Sequence, residues 1–433
     1  MLNCDIRDYG AVGDGVTMDT AAIQAAIDDC GAQGGGRVTL SGGLFLCGRI
    51  DLRSGVELRL ERDAVLLGSK NGLDFPEVET DFWRVAYAPR FNRRCMIYAE
   101  GCEDIALTGR GVIDCQGEAY IEPLPPDTEN FYWPYRRLGF PEGFEDEGSR
   151  GLHPAQRRMC SLSPARVALF MGCRNVLVED VTMRDQPAGW SYWVCGCENI
   201  HFHRAVIDAS VLYPNNDGIH INCSRDVTVS DCRIRCGDDG VVLRAYSLPL
   251  GKNTPCERVT VTNTTIVSHS AGVRVGWIGD GVIRNCAVSS LTITDSVTGI
   301  DIRLPGNDTG IRQSDEGQEA TLIENLSFSN IVMDRLFHEP VFINISEHNR
   351  CEAVRDLYFS GIHARAVHMP CVNGRADSLV RNVYFSDCHF AQLRREDIPG
   401  HETAPYCERD HTLQPYFRHV ENLRLENTAF SVL

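Results

Sequence analysis

An eight-residue pattern recurs from residue 105 onward: apolar, any, apolar, any, often Asp or Asn, small or apolar, any, apolar. One copy reads Val176-Leu177-Val178-Glu179-Asp180-Val181-Thr182-Met183, and another Val227-Thr228-Val229-Ser230-Asp231-Cys232-Arg233-Ile234. Others begin at Ile200, Val259, Leu326, Leu357, Val383 and Leu423, with weaker copies at Ile105 and Cys286. A period of two marks strands. The copies from Val176 to Cys286 are separated by steps of 24, 27, 32 and 27 residues, so fixed strands alternate with loops of variable length. A second register, Gly-apolar-any-apolar, runs alongside at Gly189, Gly218, Gly240, Gly272 and Gly299. Two strand registers per roughly 25 residues predict an all-β fold, a single-stranded right-handed parallel β-helix. Hairpin-linked strands of a sandwich would not keep so long a period.

The N-terminal stretch follows a different period. Ala22, Ile23, Ala26, Ile27 and Cys30 recur at helical spacing, with Asp19 or Thr20 as cap and Gly31 as stop. One amphipathic helix followed by short strands (37–40, 43–46, 55–60) is what an open solenoid end requires. The glycines of YGAVGDG read as turns. The chain is therefore one β-helix domain over residues 1–433, with 1–67 forming the N-terminal cap and first coils. Residues 115–163, rich in Pro and aromatics, are a large inserted loop beside the expected cleft, and shorter insertions fall at 70–94, 245–256, 304–321 and 391–417.

Composition narrows the partners. A net charge of −17 argues against nucleic acid and against an anionic membrane surface, and no apolar run is long enough to cross a bilayer. Only Lys70 and Lys252 are lysines, so arginine carries the positive charge. Nineteen cysteines, an odd number without framework spacing, predict free thiols and a cytoplasmic location, or secretion if a signal peptide has been removed. Cys102, Cys173, Cys197 and Cys256 each lie three residues before a repeat copy and should stack as one interior column. The sequence shows no ligand-like metal cluster, and neither metal nor cofactor is expected.

The chemistry concentrates in residues 213–244. Asn215-Asn216-Asp217 and Gly237-Asp238-Asp239 each run directly into a register glycine, so Asp217 and Asp239 should be vertical neighbours at about 4.8 Å strand spacing, with Asp238 beside them. Three carboxyls so close repel, which retains a proton near neutral pH. That proton is what glycoside hydrolysis needs. Neighbours on an extended strand point to opposite faces, so Asp238 should reach the cleft through a bend at Gly237 and aim away from the other two. Counting past the register glycines gives two outward rows: Ser191, His220, Val242, Arg274, Asp301, and Trp193, Asn222, Arg244, Gly276, Arg303. Arg244, Arg274 and Arg303 could bind an acidic sugar and Trp190 or Trp193 stack on a ring. Alternatively Arg274 pairs with Asp301 and leaves Arg303 for substrate.

The Asn-x-Asp-Gly and Gly-Asp-Asp motifs, together with DYGAVGDGVTMDTAAIQAAID and GRGVIDCQG, resemble the polygalacturonase family of glycoside hydrolases, family 28. The resemblance implies a right-handed β-helix that hydrolyses pectic bonds with inversion and without a metal. It implies Asp238 as general acid and Asp217 and Asp239 as activators of the attacking water; Asn215, His220 and Asp301, beside the acids or in the outward rows, are read as further substrate-binding candidates. The chain departs from the family pattern twice. Ala271 stands where the family's histidine should precede the register glycine, and His269, two residues earlier, either serves in its place or is a local turn residue. The family's Arg-Ile-Lys corresponds to Asp301-Ile302-Arg303, an exchange that sits poorly with plain homogalacturonan. The expected function is exo-hydrolysis of pectin-derived, uronate-containing oligosaccharides. The alternatives are a rhamnogalacturonan-type hydrolase, a pectic polysaccharide lyase and a non-catalytic carbohydrate-binding β-helix.

Overall fold

The computed structural model describes residues 2–80, 93–123, 157–159, 162–164, 166–187, 189–213, 215–305, 320–346, 349–399 and 414–433. The chain winds as a right-handed parallel β-helix. All ten predicted copies of the eight-residue pattern fall into a single column: Ile105, Val176, Ile200, Val227, Val259, Cys286, Leu326, Leu357, Val383 and Leu423 pair coil to coil in parallel register. A second, eleven-stranded parallel sheet takes one strand from each coil, from Ile50–Asp51 to Tyr416–Arg418.

The recurrent Asp or Asn of the pattern has a backbone reason. Asp180, Asp231, Asn263, Asn330, Asp387 and Asn427 all adopt positive φ, between 44° and 63°. Side chains with a short polar group tolerate this left-handed conformation best. The residue turns the chain between two strands of one coil, and stacked copies bond to each other, as from Asn427 Nδ2 to Asp387 Oδ1 at 2.7 Å.

Inside, identical positions stack. Phe328, Phe359 and Phe385 lie face to face at centroid spacings of 5.1 and 4.7 Å. Cys102, Cys173 and Cys197 stack as expected, but Ser224 interrupts the column before Cys256 and accepts the Cys197 N–H at 3.0 Å. The 17 cysteines among the described residues are free thiols.

At the N-terminus the helix Thr20–Ala32 buries Ile23, Ala26, Ile27 and Cys30 against the first coils. Its ends differ from expectation. It runs through Gly31, and Asp19 makes no side-chain cap; its carboxylate instead accepts from the N–H groups of Val12 and Gly13 at 2.7 and 3.0 Å. That pins the YGAVGDG segment, whose three glycines all have positive φ, as turns require. The insertion at 115–163 is described only at its stem, where Ile121–Pro123 pairs antiparallel with Arg157–Met159; its placement by a cleft lies outside the described residues. No helix among the described residues is long and apolar enough to cross a membrane.

Candidate active site

The acids stand where two coils bend into the eleven-stranded sheet. Ile219 pairs with Val241, so Asp217 and Asp239 are vertical neighbours as predicted. Behind them Gly218, Gly240 and Gly272 pack backbone to backbone. A Cβ on Gly218 would meet the Gly240 carbonyl oxygen at 2.3 Å, and one on Gly240 would meet that of Gly272 at 2.7 Å. Only glycine lets the coils close up here, which holds the carboxylates one coil spacing apart. Gly237 makes the expected bend: a Cβ there would lie 2.2 Å from the Tyr213 carbonyl oxygen, while its N–H donates to Asn216 Oδ1 at 2.6 Å.

The bend brings Asp238 in, and without the wide gap from the other two that its predicted divergence implies. One oxygen from each of Asp217, Asp238 and Asp239 lies within 4.8 Å of the other two. Asp238 is fixed by the Asp239 N–H, donating to Oδ1 at 2.9 Å, and by Asn215 Nδ2, donating to Oδ2 at 3.3 Å. Asn215 is therefore an acid-positioning residue.

The three carboxyls have different environments. Asp239 lies in the fork of Arg274, whose Nε and Nη2 donate to Oδ2 and Oδ1 at 2.6 and 2.9 Å. Ser270 Oγ and the Ala271 N–H also donate to Oδ1, at 2.7 and 3.1 Å. Burial raises Asp238 to about 7, with the Asp239 charge adding and Arg274 opposing. Burial, then the charges of Asp238 and Asp239, holds Asp217 well above the ordinary carboxylate range. A carboxyl that keeps its proton to neutrality, beside a locked carboxylate, is an acid poised to donate. kcat/KM should therefore trace a narrow bell: an alkaline limb near pH 7 as Asp238 ionises, and an acidic limb above pH ~4, the usual carboxylate value, as Asp217 protonates. An initial-rate pH series with an alkaline limb above pH ~9 would contradict the assignment of Asp238.

The histidine that touches the acids is His220, Nδ1 to Asp217 Oδ2 at 3.2 Å. Burial, with Arg244, Arg166 and Arg274 nearby, holds its pKa well below the usual value, so the ring is neutral, and its tautomer sets which of the two groups donates. His269 occupies the turn before strand Ala271–Val275. Burial lowers it to about 4, and the charges acting on it are Arg235 and Asp295, not the three aspartates. Ser270, next to it, is the residue that reaches an acid. The sequence signal for Ser270 was its place, one residue before the position opposite Asp239.

The outward rows need correction in one coil. Trp193, not Ser191, pairs with His220, and Cys195 pairs with Asn222, so Gly189 is not a register glycine and Ser191 takes that position. Trp190 therefore falls in the Asp217 column, buried, with the Arg166 guanidinium 4.4 Å from its ring centre and His220 stacked on it at 3.8 Å. It orients His220 rather than offering a face to sugar. The arginines are committed as well. Arg244 pairs with buried Asp280 at 2.6 Å. Arg274 pairs with Asp301 at 3.2 Å as anticipated, and Arg303 also binds Asp301, at 2.8 Å. Asp301 thus bridges two arginines within the wall, one of which, Arg274, also holds Asp239.

Comparison with known proteins completes the picture. The profile of Glycosyl hydrolases family 28 matches residues 154–393, and that described as Rhamnogalacturonase A/epimerase, pectate lyase-like, matches residues 3–58. A probable polygalacturonase of Vitis vinifera is 25% identical over 70% of this chain and 57% of its own length. An exo-poly-alpha-D-galacturonosidase of Dickeya chrysanthemi is 24% identical over 79% of this chain and 57% of its own. The chain thus spans little more than half the length of these curated relatives. Among solved structures, a hyperthermoactive exopolygalacturonase from Thermotoga maritima shares the fold with a TM-score of 0.63 at 22% identity, covering 91% of this chain and 88% of its own. With the family match spanning more than half of its residues, the bends and the aspartates included, the chain belongs to glycosyl hydrolases family 28.

Proposed function

We propose that the protein is an inverting glycoside hydrolase that removes residues from the ends of pectin-derived, uronate-containing oligosaccharides. The observation that carries this reading is the contrast between Asp238, raised to about 7, and Asp239, held by Arg274 and Ser270 within reach of it. Asp238 protonates the leaving oxygen. Asp217, steadied by His220, takes the proton of the attacking water. Asp239 has hydrogen bonds on both oxygens, which suits an electrostatic partner and disfavours a nucleophile. Exo-action follows the named activities of the Dickeya and Thermotoga proteins. The buried free thiols support a reducing, cytoplasmic setting.

The 4.8 Å clustering is shorter than the roughly 6.5–9.5 Å separation usual for inverting pairs. Anomeric configuration is therefore the decisive measurement. Proton NMR of the first-formed product should show inversion, and retention would overturn the assignment of roles. A rhamnogalacturonan-type substrate is the second reading, favoured by the pairing of Arg274 and Arg303 with two carboxylates, Asp239 and Asp301, which suits a neutral sugar in that part of the wall. A product profile across oligogalacturonides and rhamnogalacturonan fragments separates the two.

A further inference from the structure

Farther along the same column of bends, the coils assemble a cluster of metal-ligating side chains that is dispersed in sequence. His338 and Glu339 precede strand Val341–Ile345, and His368 precedes Cys371–Asn373. Phe342 pairs with Cys371, which makes Glu339 and His368 vertical neighbours. His338, Glu339 and His368 are 7%, 0% and 1% exposed. One donor atom from each lies within 4.8 Å of the other two, so a ligand-like cluster exists despite the expectation from sequence. The register runs back from Glu339 through Thr298 and Ala271 to Asp239, three coil steps or about 14 Å away, so this cluster is separate from the three acids.

We propose that His338, Glu339 and His368 bind one divalent transition-metal ion of the zinc class. Two imidazoles and a carboxylate suit borderline ions such as zinc or cobalt, whereas calcium and magnesium prefer all-oxygen shells. The geometry agrees. The imidazole centroids of His338 and His368 are 5.2 Å apart with ring planes inclined by 26°. The rings are stacked, and one nitrogen of each lies within 4.8 Å of the other and of a Glu339 oxygen, near enough for one ion to be shared. Glu339 Oε1 stands 3.5 Å from His368 Nδ1, close to the ~3.4 Å edge of a tetrahedral zinc site. The three side chains come from two adjacent coils, so the ion would tie one bend to the next. This assignment stands whether or not the aspartates hydrolyse a glycoside.

The test uses the full chain, stripped with a chelator and titrated with Co²⁺ and then Zn²⁺. One Co²⁺ per chain should bind with the visible d–d absorption of a four-coordinate site, be displaced by Zn²⁺ and raise Tm. Glu339→Gln and, separately, His338→Gln should lose that spectrum and the Tm gain, each by at least tenfold in affinity. Asp238→Asn should keep both, which separates this site from the acidic cluster. Failure of stripped wild-type protein to bind either ion stoichiometrically would overturn the proposal, leaving Glu339 and His368 a plain polar contact. So would a spectrum unchanged in both cluster variants, or one lost in Asp238→Asn.

Discussion

Replacing Asp238 with asparagine should lower turnover by about 10²–10⁴-fold while leaving the protein folded and more stable than wild type above pH 7. The first effect is loss of the proton that departs with the leaving group. The second follows from burial. Asp238 titrates at about 7 in the folded chain, against about 3.9 for an ordinary aspartate. The folded state thus holds the proton more tightly than the unfolded state. Stability from this group is fully present below pH ~4 and is lost as pH rises through about 7. Asparagine is isosteric, keeps acceptor capacity for the Asp239 N–H and cannot ionise, so it escapes that loss. Melting curves at pH 4.5 and 8 should show the variant's advantage only at the higher pH. Wild-type turnover, or an advantage confined to low pH, would remove Asp238 from the role of acid.

Arg274→Ala should be worse for the fold than any change among the acids, costing about 3–5 kcal/mol and abolishing activity. Arg274 bonds to both oxygens of Asp239, to Ser270 Oγ at 3.4 Å and to Asp301, and its guanidinium lies 5.1 Å from the Trp277 ring centre. Asp301 retains Arg303 in the variant. Among the described residues no other cation pairs with Asp239, and its carboxylate is buried beside two others. A buried charge left without its partner costs far more than the pair contributes, because the desolvation remains and the attraction is gone. Arg274→Lys should recover part of the stability but not the two-pronged grip on Asp239. Denaturant titration of the three proteins should rank them wild type, Lys, Ala. A loss below about 1 kcal/mol for Ala would mean that the pair behaves like an exposed salt bridge.

The closeness of Asp217 and Asp239 was readable because each immediately precedes a register glycine, and glycine is there because two backbones touch. The pairing of Arg274 with Asp301 was readable for a similar reason, as both lie two residues past such a glycine. The same counting failed at Gly189. The hydrogen bonds place Ser191, not Gly189, opposite Gly218, shifting Trp190 and Trp193 by two positions. That slip hid the stacking of Trp190 on His220, and with it the histidine that touches an acid.

Periodicity is a local property. Each strand carries its own record of which side chains face the core, so the β-helix, its capping helix, the stacked cysteines and the position of the acids were determined by the sequence alone. What a polar side chain meets on the next coil depends on register and on loops whose lengths vary from turn to turn. Tertiary structure therefore decided that Asp301 holds Arg303 as well as Arg274, that Arg244 belongs to Asp280, that His269 faces Arg235 and Asp295, and that Glu339 meets His368 from 29 positions away. Burial decided the rest. Burial makes the aspartate at position 238 a proton donor near neutral pH, while the one at 239 is gripped on both oxygens by the fork of an arginine.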